Sequence, residues 1–276
     1  MSQLEFDLNY VKSILDYDND DTFGFIYSRT TEDLNCIFDN LNYQDKKILT
    51  VLSSSDYLFH LYTKDVASVD TFDINPLTYR YFHLRKWLLN YNYLDISILS
   101  IKELIYIVKK VNPTSKEEQD SKLFWMIVFE KLKNTNESLY DALFSYVSPK
   151  ETYTESINTI KQNLIKKEPV FYQCDIINSS CIKNNYDLIF LSNILDYNRN
   201  KKSLLKFMRK LDLLLNKDGS LVCTHIPNLT NPTIDLKEEI LLFEKYFQYE
   251  ELYNKESDGI LYYKYTKKLL FSSRTI

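Results

Sequence analysis

A chain of 276 residues has room for one large α/β domain with an embellishment, or for two small domains. Its hydrophobic content of 45% is that of a globular protein, and a net charge of −4 with acids and bases interleaved argues against a general nucleic-acid binder, which carries a basic face. Residues 1–21 are acidic and polar, unlike a secretory leader, and the densest apolar run, Leu123–Phe129, is far shorter than the ~20 residues of a membrane span, so a soluble cytoplasmic protein with no transmembrane segment is expected.

In chain order, residues 1–45 read as an N-terminal helical extension or cap. Leu8–Tyr17 has helical spacing, and Thr30-Thr31-Glu32-Asp33 reads as a helix start with Thr30 as N-cap. Ile48–Leu52 is an apolar run suited to a strand buried on both faces. A small-residue turn and a helix over Asp56–Lys64 follow, then a strand over Ser68–Asp73. Pro76 opens a helix to about Asn90, at a position where the missing N–H would be unpaired anyway. From Ile96 to Lys167 the pattern stays helical, over Ile98–Val111, Glu117–Leu132, Ser138–Val147 and Glu151–Lys166. That length predicts a helical insertion, 96–167, between the two parts of an α/β domain, 46–95 and 168–276. Strands resume at Val170–Cys174 and Tyr186–Leu191. A helix over Lys201–Leu215 stops at Asn216-Lys217-Asp218-Gly219, a strand runs over Ser220–Ile226 and a helix over Asp235–Tyr246. Two closing strands, Gln248–Tyr253 and Ile260–Lys267, are joined by a turn at Asp258-Gly259. Alternating strands and helices predict a doubly wound sheet with its ligand at the carboxyl ends of the strands.

Four positions at those ends could carry chemistry. In the turn Leu52-Ser53-Ser54-Ser55-Asp56, small residues let backbone N–H groups approach a polar ligand end; the alternative is an ordinary turn capped by Ser55 or Asp56. Asp73 ends the next strand twenty residues after Ser53, the spacing at which an acid accepts hydrogen bonds from ribose hydroxyls, though it could instead be a cap three residues before Pro76. Asp175 and Ile176 follow the third strand, where an acid could hold an exocyclic amine of adenine and Ile176 pack on the ring; a solvated loop acid is the alternative. Ser192 and Asn193 end the strand Tyr186–Leu191, where they could orient a substrate amine or the transferring group, with Leu195 and Tyr197 as pocket walls, or could simply cap the next segment.

Other signals are weaker. Cys36, Cys174, Cys181 and Cys223 show no CxxC spacing and read as reduced, mostly buried thiols. His60, His83 and His225 have no ligand spacing, so no metal site is expected. No GxSxG elbow or P-loop lysine occurs. The aromatic run around Trp125 reads as helix core, or as the wall of an apolar acceptor pocket. Only three glycines occur, which fits the residue bias of an AT-rich genome.

Taken together, ILTVLSSSD, FDINPLTYRYFHLRKWLL, CDI and YDLIFLSNILDY resemble class I S-adenosylmethionine-dependent transferases. More narrowly, with FGFIYSRTTEDL upstream, they look like a bacterial branch related to the aminocarboxypropyltransferases of betaine-lipid synthesis. The resemblance covers roughly residues 22–92 and 170–226. It implies a Rossmann-like doubly wound sheet of the seven-strand methyltransferase type, with the last strands antiparallel. It also implies that Leu52, Ser53, Ser54, Ser55 and Asp56 line the methionine end of S-adenosylmethionine and that Asp73 binds ribose, with Ile74 and Asn75 beside the adenosine. Asp175 and Ile176 would meet adenine, Ser192 and Asn193 would face the sulfonium, and Tyr27, Thr30 and Thr31 would close over the pocket. Asn193 and Tyr197 are the candidate catalytic residues, with Asp196 or Tyr197 assisting if the acceptor must lose a proton. The acceptor would be a small molecule or a lipid, and a homodimer is compatible with the sequence.

One departure stands out. Relatives have a GSSGD-like turn, and here both glycine positions are serine, Ser53 and Ser55. Where such a position needs positive φ, a side chain costs about 1 kcal/mol, which bears on cofactor affinity and not on the fold. A second reading is therefore a catalytically degenerate member acting as a binding or interaction module. A third, a dinucleotide-dependent oxidoreductase, shares the turn-plus-acid logic but lacks GxGxxG.

Overall fold

The computed structural model describes residues 5, 7–10, 26–27, 30, 32–93, 96, 99–133, 144–145, 156–198, 200–227, 233–255 and 260–268. The elements are β1 (Ile26–Tyr27), α1 (Leu34–Phe38), β2 (Lys47–Val51), α2 (Asp56–Leu61), β3 (Ser68–Asp73), α3 (Pro76–Leu89), α4 (Ile101–Lys110) and α5 (Lys116–Lys133). There follow β4 (Phe144–Ser145), α6 (Ile157–Lys166), β5 (Val170–Gln173), β6 (Tyr186–Ser192), α7 (Ile194–Tyr197), α8 (Lys201–Leu214), β7 (Leu215–His225), α9 (Leu236–Phe243), β8 (Phe247–Lys255) and β9 (Ile260–Lys267).

The main sheet has seven strands in the order β5-β3-β2-β6-β7-β9-β8. Counted in chain order within the sheet, that is 3-2-1-4-5-7-6. β2 pairs in parallel with β3 and with β6, and β6 with β7, whereas β9 runs antiparallel to both β7 and β8. This is the seven-strand methyltransferase-type Rossmann-like sheet that the sequence predicts, with β9 as the reversed strand. The central strands are continuous apolar runs because both faces are covered: Ile48, Leu49, Leu188, Ile189 and Phe190 are all buried.

The chain forms two compact units. The first comprises residues 1–31, 52–63 and 73–173, and the second 32–51, 64–72 and 174–276. In the first, α3, α4 and α5 share a core that includes Leu77, Tyr81, Trp87, Val108, Trp125 and Phe129. Asn75 starts α3 by accepting the Leu77 N–H at 2.9 Å, with Pro76 next in line, and Ser100 with Glu103 makes a capping box on α4. The aromatic run around Trp125 is thus helix core, with the indole N–H donating to the Arg80 carbonyl at 3.0 Å. In the second unit, Leu204, Phe207, Met208 and Leu211 of α8 are buried, and the buried Glu239 carboxylate accepts from the hydroxyls of Tyr263 and Tyr265 at 2.9 and 3.1 Å.

Several expectations need correction. Thr30 is not a helix N-cap: α1 begins at Leu34, and the Thr30 N–H donates to the Asp56 carboxylate at 2.7 Å. Ser138–Val147 is not one helix, since Phe144–Ser145 pairs in parallel with β1; the rest of that stretch lies outside the described residues. Asn216–Gly219 is not a turn between the helix and a strand starting at Ser220: the helix ends at Leu214 and Asn216–Gly219 lies within the strand. β7 already begins at Leu215, and the register jumps from Tyr186↔Leu215 to Leu188↔Ser220. The extra residues bulge out around Asp187, whose carboxylate accepts from Asn216 Nδ2 at 2.7 Å and from the Lys47 N–H at 2.8 Å. Gly219 is needed there, because a Cβ would lie 2.9 Å from the Tyr186 carbonyl oxygen. The cysteines are not mostly buried: Cys174 is partly exposed, Cys181 exposed and only Cys223 buried among those described, all as free thiols. Of Leu8–Tyr17, residues 8–10 are helical and the remainder is outside the described residues, as is the Asp258-Gly259 turn.

Candidate functional site

After β2 the chain enters the first unit at Leu52-Ser53-Ser54-Ser55, before α2 begins at Asp56. Ser53 has φ 43° and Ser55 φ 73°, both in the left-handed region that favours glycine. The serines therefore occupy a glycine-type backbone. Ser55 stands at the N-cap of α2, but its hydroxyl makes no cap bond, and its buried Oγ has no hydrogen-bond partner; the turn is closed instead by the Ser55 N–H donating to the Leu52 carbonyl at 2.6 Å.

Asp56 holds this turn from beneath. One carboxylate oxygen pairs with Arg85 Nη1 at 2.8 Å, and the other accepts from the Ser54 hydroxyl at 2.9 Å and the Thr30 N–H at 2.7 Å. Arg85 also donates to the Ser54 carbonyl, and its guanidinium lies 4.6 Å from the Phe59 ring centre. Both side chains are almost fully buried. A buried charge is tolerable only when paired and hydrogen-bonded, and this one is. Its bonds to Arg85, the Ser54 hydroxyl and the Thr30 N–H shape the turn.

Asp73, at the carboxyl end of β3, accepts the Ser53 N–H on one oxygen and the Asn75 N–H on the other, each at 2.9 Å. Burial pushes its carboxyl up to about 6, against the lowering effect of the Asn75 and Ser53 N–H bonds. The acid and the turn that the sequence spacing relates are thus bonded to each other. Asn75 is buried as the cap of α3, while Ile74 between them is 54% exposed, an apolar face left open beside the acid. Tyr27 lies in β1, and Thr31 lies outside the described residues.

The second unit holds the remaining candidates. Asp175 folds back on its own loop, accepting the Ile177 N–H at 2.9 Å and bonding Asn178 Nδ2, and Ile176 is buried. Ser192, at φ 53°, donates its hydroxyl to the buried Glu32 at 2.8 Å. Asn193 precedes α7 with no cap bond from its side chain, and Tyr197 is 45% exposed. Asp196, in the same short helix, is buried; it meets His225 Nδ1 at 2.8 Å and accepts the Ile226 N–H at 2.8 Å. The sequence reading missed this carboxylate–imidazole pair. Its members stand 29 residues apart and meet only because β6 and β7 are neighbours whose carboxyl ends coincide. Among the described residues no cluster of three or more His, Cys, Asp or Glu side chains could hold a metal ion, and no helix is long and apolar enough to cross a membrane.

No family model matches the chain, and no curated relative does. Among solved structures it is similar to a TehB-like SAM-dependent methyltransferase from Corynebacterium glutamicum, at 12% identity and TM-score 0.44, over 96% of this chain and 98% of that one. It is also similar to the N-methyltransferase NodS from Bradyrhizobium japonicum in complex with S-adenosyl-l-homocysteine, at 10% identity and TM-score 0.44, over 95% and 98%. A SAM-dependent methyltransferase from Aquifex aeolicus matches at 10% identity and TM-score 0.42, over 94% and 98%. The fold assignment rests on the strand order and pairing alone.

Proposed function

We propose that the protein is an S-adenosylmethionine-dependent transferase that moves a methyl or a 3-amino-3-carboxypropyl group to a small-molecule or lipid acceptor. The observation that carries this reading is the bond between Asp73 and the Ser53 N–H, across a turn whose two serines keep glycine-type backbone angles. The residues fit the ligand. Asp73 stays partly exposed at the end of its strand, and the N–H groups of Ser53 and Asn75 each hold one of its oxygens, so the carboxylate is oriented for donors such as a ribose diol. Ile74 offers apolar surface beside it. When bound, S-adenosylmethionine supplies an electrophilic carbon already activated by its sulfonium. The chain's part is to bind, orient and exclude water. Within it, Asp73 takes the ribose, the backbone of Leu52–Ser55 meets the methionine end, and Asp56 with Arg85 fixes that backbone. On the resemblance alone, Asp175 and Ile176 are proposed to meet adenine, Ser192 and Asn193 to face the sulfonium, Tyr27 and Thr31 to close over the ligand, and Tyr197 to act near the acceptor. The cap, insertion and sheet-domain boundaries at 45, 95 and 167, the cytoplasmic location and a homodimer are proposed on the same footing.

Calorimetric titration of the purified protein with S-adenosylmethionine and S-adenosylhomocysteine tests the reading, with Asp73→Ala as control. Micromolar binding that Asp73→Ala abolishes supports it. A folded protein that binds neither compound sinks it and favours the non-catalytic binding module. One observation speaks for that second reading: the Ser55 hydroxyl fills, without a hydrogen-bond partner, a place where the similar turns have glycine.

A further inference from the structure

We propose that His225 is the proton acceptor for a hydroxyl-bearing acceptor substrate, with Asp196 as its positioning residue. The transferred group in this inference is taken from the function proposed above; the proton-accepting role stands on the pair's own geometry.

β6 and β7 are parallel neighbours, so Ser192, Asn193, α7 and His225 gather at the carboxyl ends of adjacent strands, where ligands of doubly wound sheets sit. Asp196 is buried and both of its oxygens are engaged, one by His225 Nδ1 and one by the Ile226 N–H, each at 2.8 Å. An ionised carboxylate only accepts, so Nδ1 carries the proton and Nε2 presents its lone pair. The carboxylate cannot swing away, because the Ile226 N–H pins its far oxygen and the Asp196 N–H is fixed to the Asn193 carbonyl at 3.0 Å. The imidazole side chain keeps 18% of its surface open. A pair serving only to tie α7 to β7 would not need a partly open ring, since the Asp196–Ile226 bond already joins the two. A carboxylate bonded to Nδ1 of a partly exposed imidazole is the arrangement in which a histidine takes a proton from a hydroxyl and the carboxylate steadies the resulting imidazolium.

The step balances without another reactant. As the acceptor oxygen bonds to the sulfonium-bound carbon, the carbon–sulfur bond breaks and its electron pair stays on sulfur, which leaves as a neutral thioether. The hydroxyl proton passes to His225 Nε2, is held as imidazolium against Asp196, and then leaves to water. A hydroxyl needs this help at neutral pH, since it gives up its proton only as the new bond forms.

The test uses the full chain labelled with 15N-histidine, whose three histidines are separable by His225→Gln. Two-bond 1H–15N spectra should show His225 protonated at Nδ1 and bare at Nε2. Phenol, as a hydroxyl probe, should shift Nε2, and anisole, the same ring without the hydroxyl proton, should not. Diethyl pyrocarbonate should acylate His225 in the wild type and at least tenfold more slowly in Asp196→Asn, whose fold is checked by its backbone amide spectrum. A purely structural pair would leave His225 unreactive and blind to phenol. A proton on Nε2, an inert His225, or equal responses to phenol and anisole overturns the proposal, and the wild-type readings decide this even if Asp196→Asn fails to fold. Cofactor titration read at Asp73 is independent: loss of cofactor binding with the phenol response intact removes the proposed transfer reaction and leaves the base.

Discussion

Ser55 concentrates the tension in this chain. At φ 73° a residue with a Cβ is strained by about 1–2 kcal/mol, and the buried hydroxyl without a partner adds a desolvation cost of about 1–3 kcal/mol. Glycine would relieve both and give back about 0.5–1 kcal/mol in unfolded-chain freedom. Ser55→Gly should therefore stabilise the protein by about 1–4 kcal/mol, read as a higher urea midpoint at unchanged slope. Asp73 makes a second residue-level prediction, from its carboxyl raised by burial to about 6. Between the unfolded value of 3.8 and about 6 the folded state binds more protons than the unfolded one. Its contribution to stability is thus full below the unfolded value and is lost as pH rises through about 6. Ligand binding has the opposite slope, because a ribose diol donates to the ionised form. S-adenosylhomocysteine affinity should hold above about pH 6 and fall about tenfold per unit below it, and the residual binding of Asp73→Asn should be flat across that range; calorimetry at stepped pH reads both.

The elements most legible in the sequence are those whose signal is local. Ile48–Leu52 and Tyr186–Leu191 are apolar runs of strand length, and Ser68–Asp73 and Pro76 mark a strand end and a helix start that the structure keeps at the same residues. That Asp73 stands at the end of the strand after the Ser53 turn was legible too, because that spacing is fixed by the βαβ unit; the direct bond from the Ser53 N–H to its carboxylate was not. Non-local features were not. The Asp196–His225 pair depends on which strands are neighbours, and the pairing of β1 with β4 is too short to leave a period. Asn216–Gly219 carries turn residues, yet forms a bulge inside β7 because Asp187 takes Asn216 and the Lys47 N–H. That bulge is sensitive. A methyl at Gly219 would sit 2.9 Å from the Tyr186 carbonyl oxygen and from Leu215 Cδ2, and backbone cannot yield as a flexible side chain can. Gly219→Ala should destabilise by about 1–3 kcal/mol, measured by urea unfolding.

At the scale of the whole molecule, the division into units cuts across the sequence. Residues 32–51 and 64–72 belong with 174–276, so the second unit is assembled from three separate stretches. β2 is what the last stretch needs most. Its Ile48, Leu49 and Thr50 pair with Leu188, Ile189 and Phe190 of β6, and the side chains on both strands of that ladder are buried or nearly so. A fragment of residues 174–276 would keep β6, β7, β9 and β8 but present β6 as a new edge, apolar and unpaired along its length. An edge of that kind templates pairing with other chains. The fragment should therefore associate or precipitate, where the full chain gives a discrete species by size-exclusion chromatography with light scattering. Adding residues 46–72 in trans should restore solubility if the missing ladder is the cause, because that peptide carries both β2 and β3 in parallel register, from Lys47↔Ser68 to Val51↔Phe72. A monomeric, cooperatively unfolding 174–276 would instead mean that the antiparallel β7–β9–β8 ladder and the aromatic packing of Phe243 on Tyr265, centres 4.7 Å apart, hold the unit without its central strand.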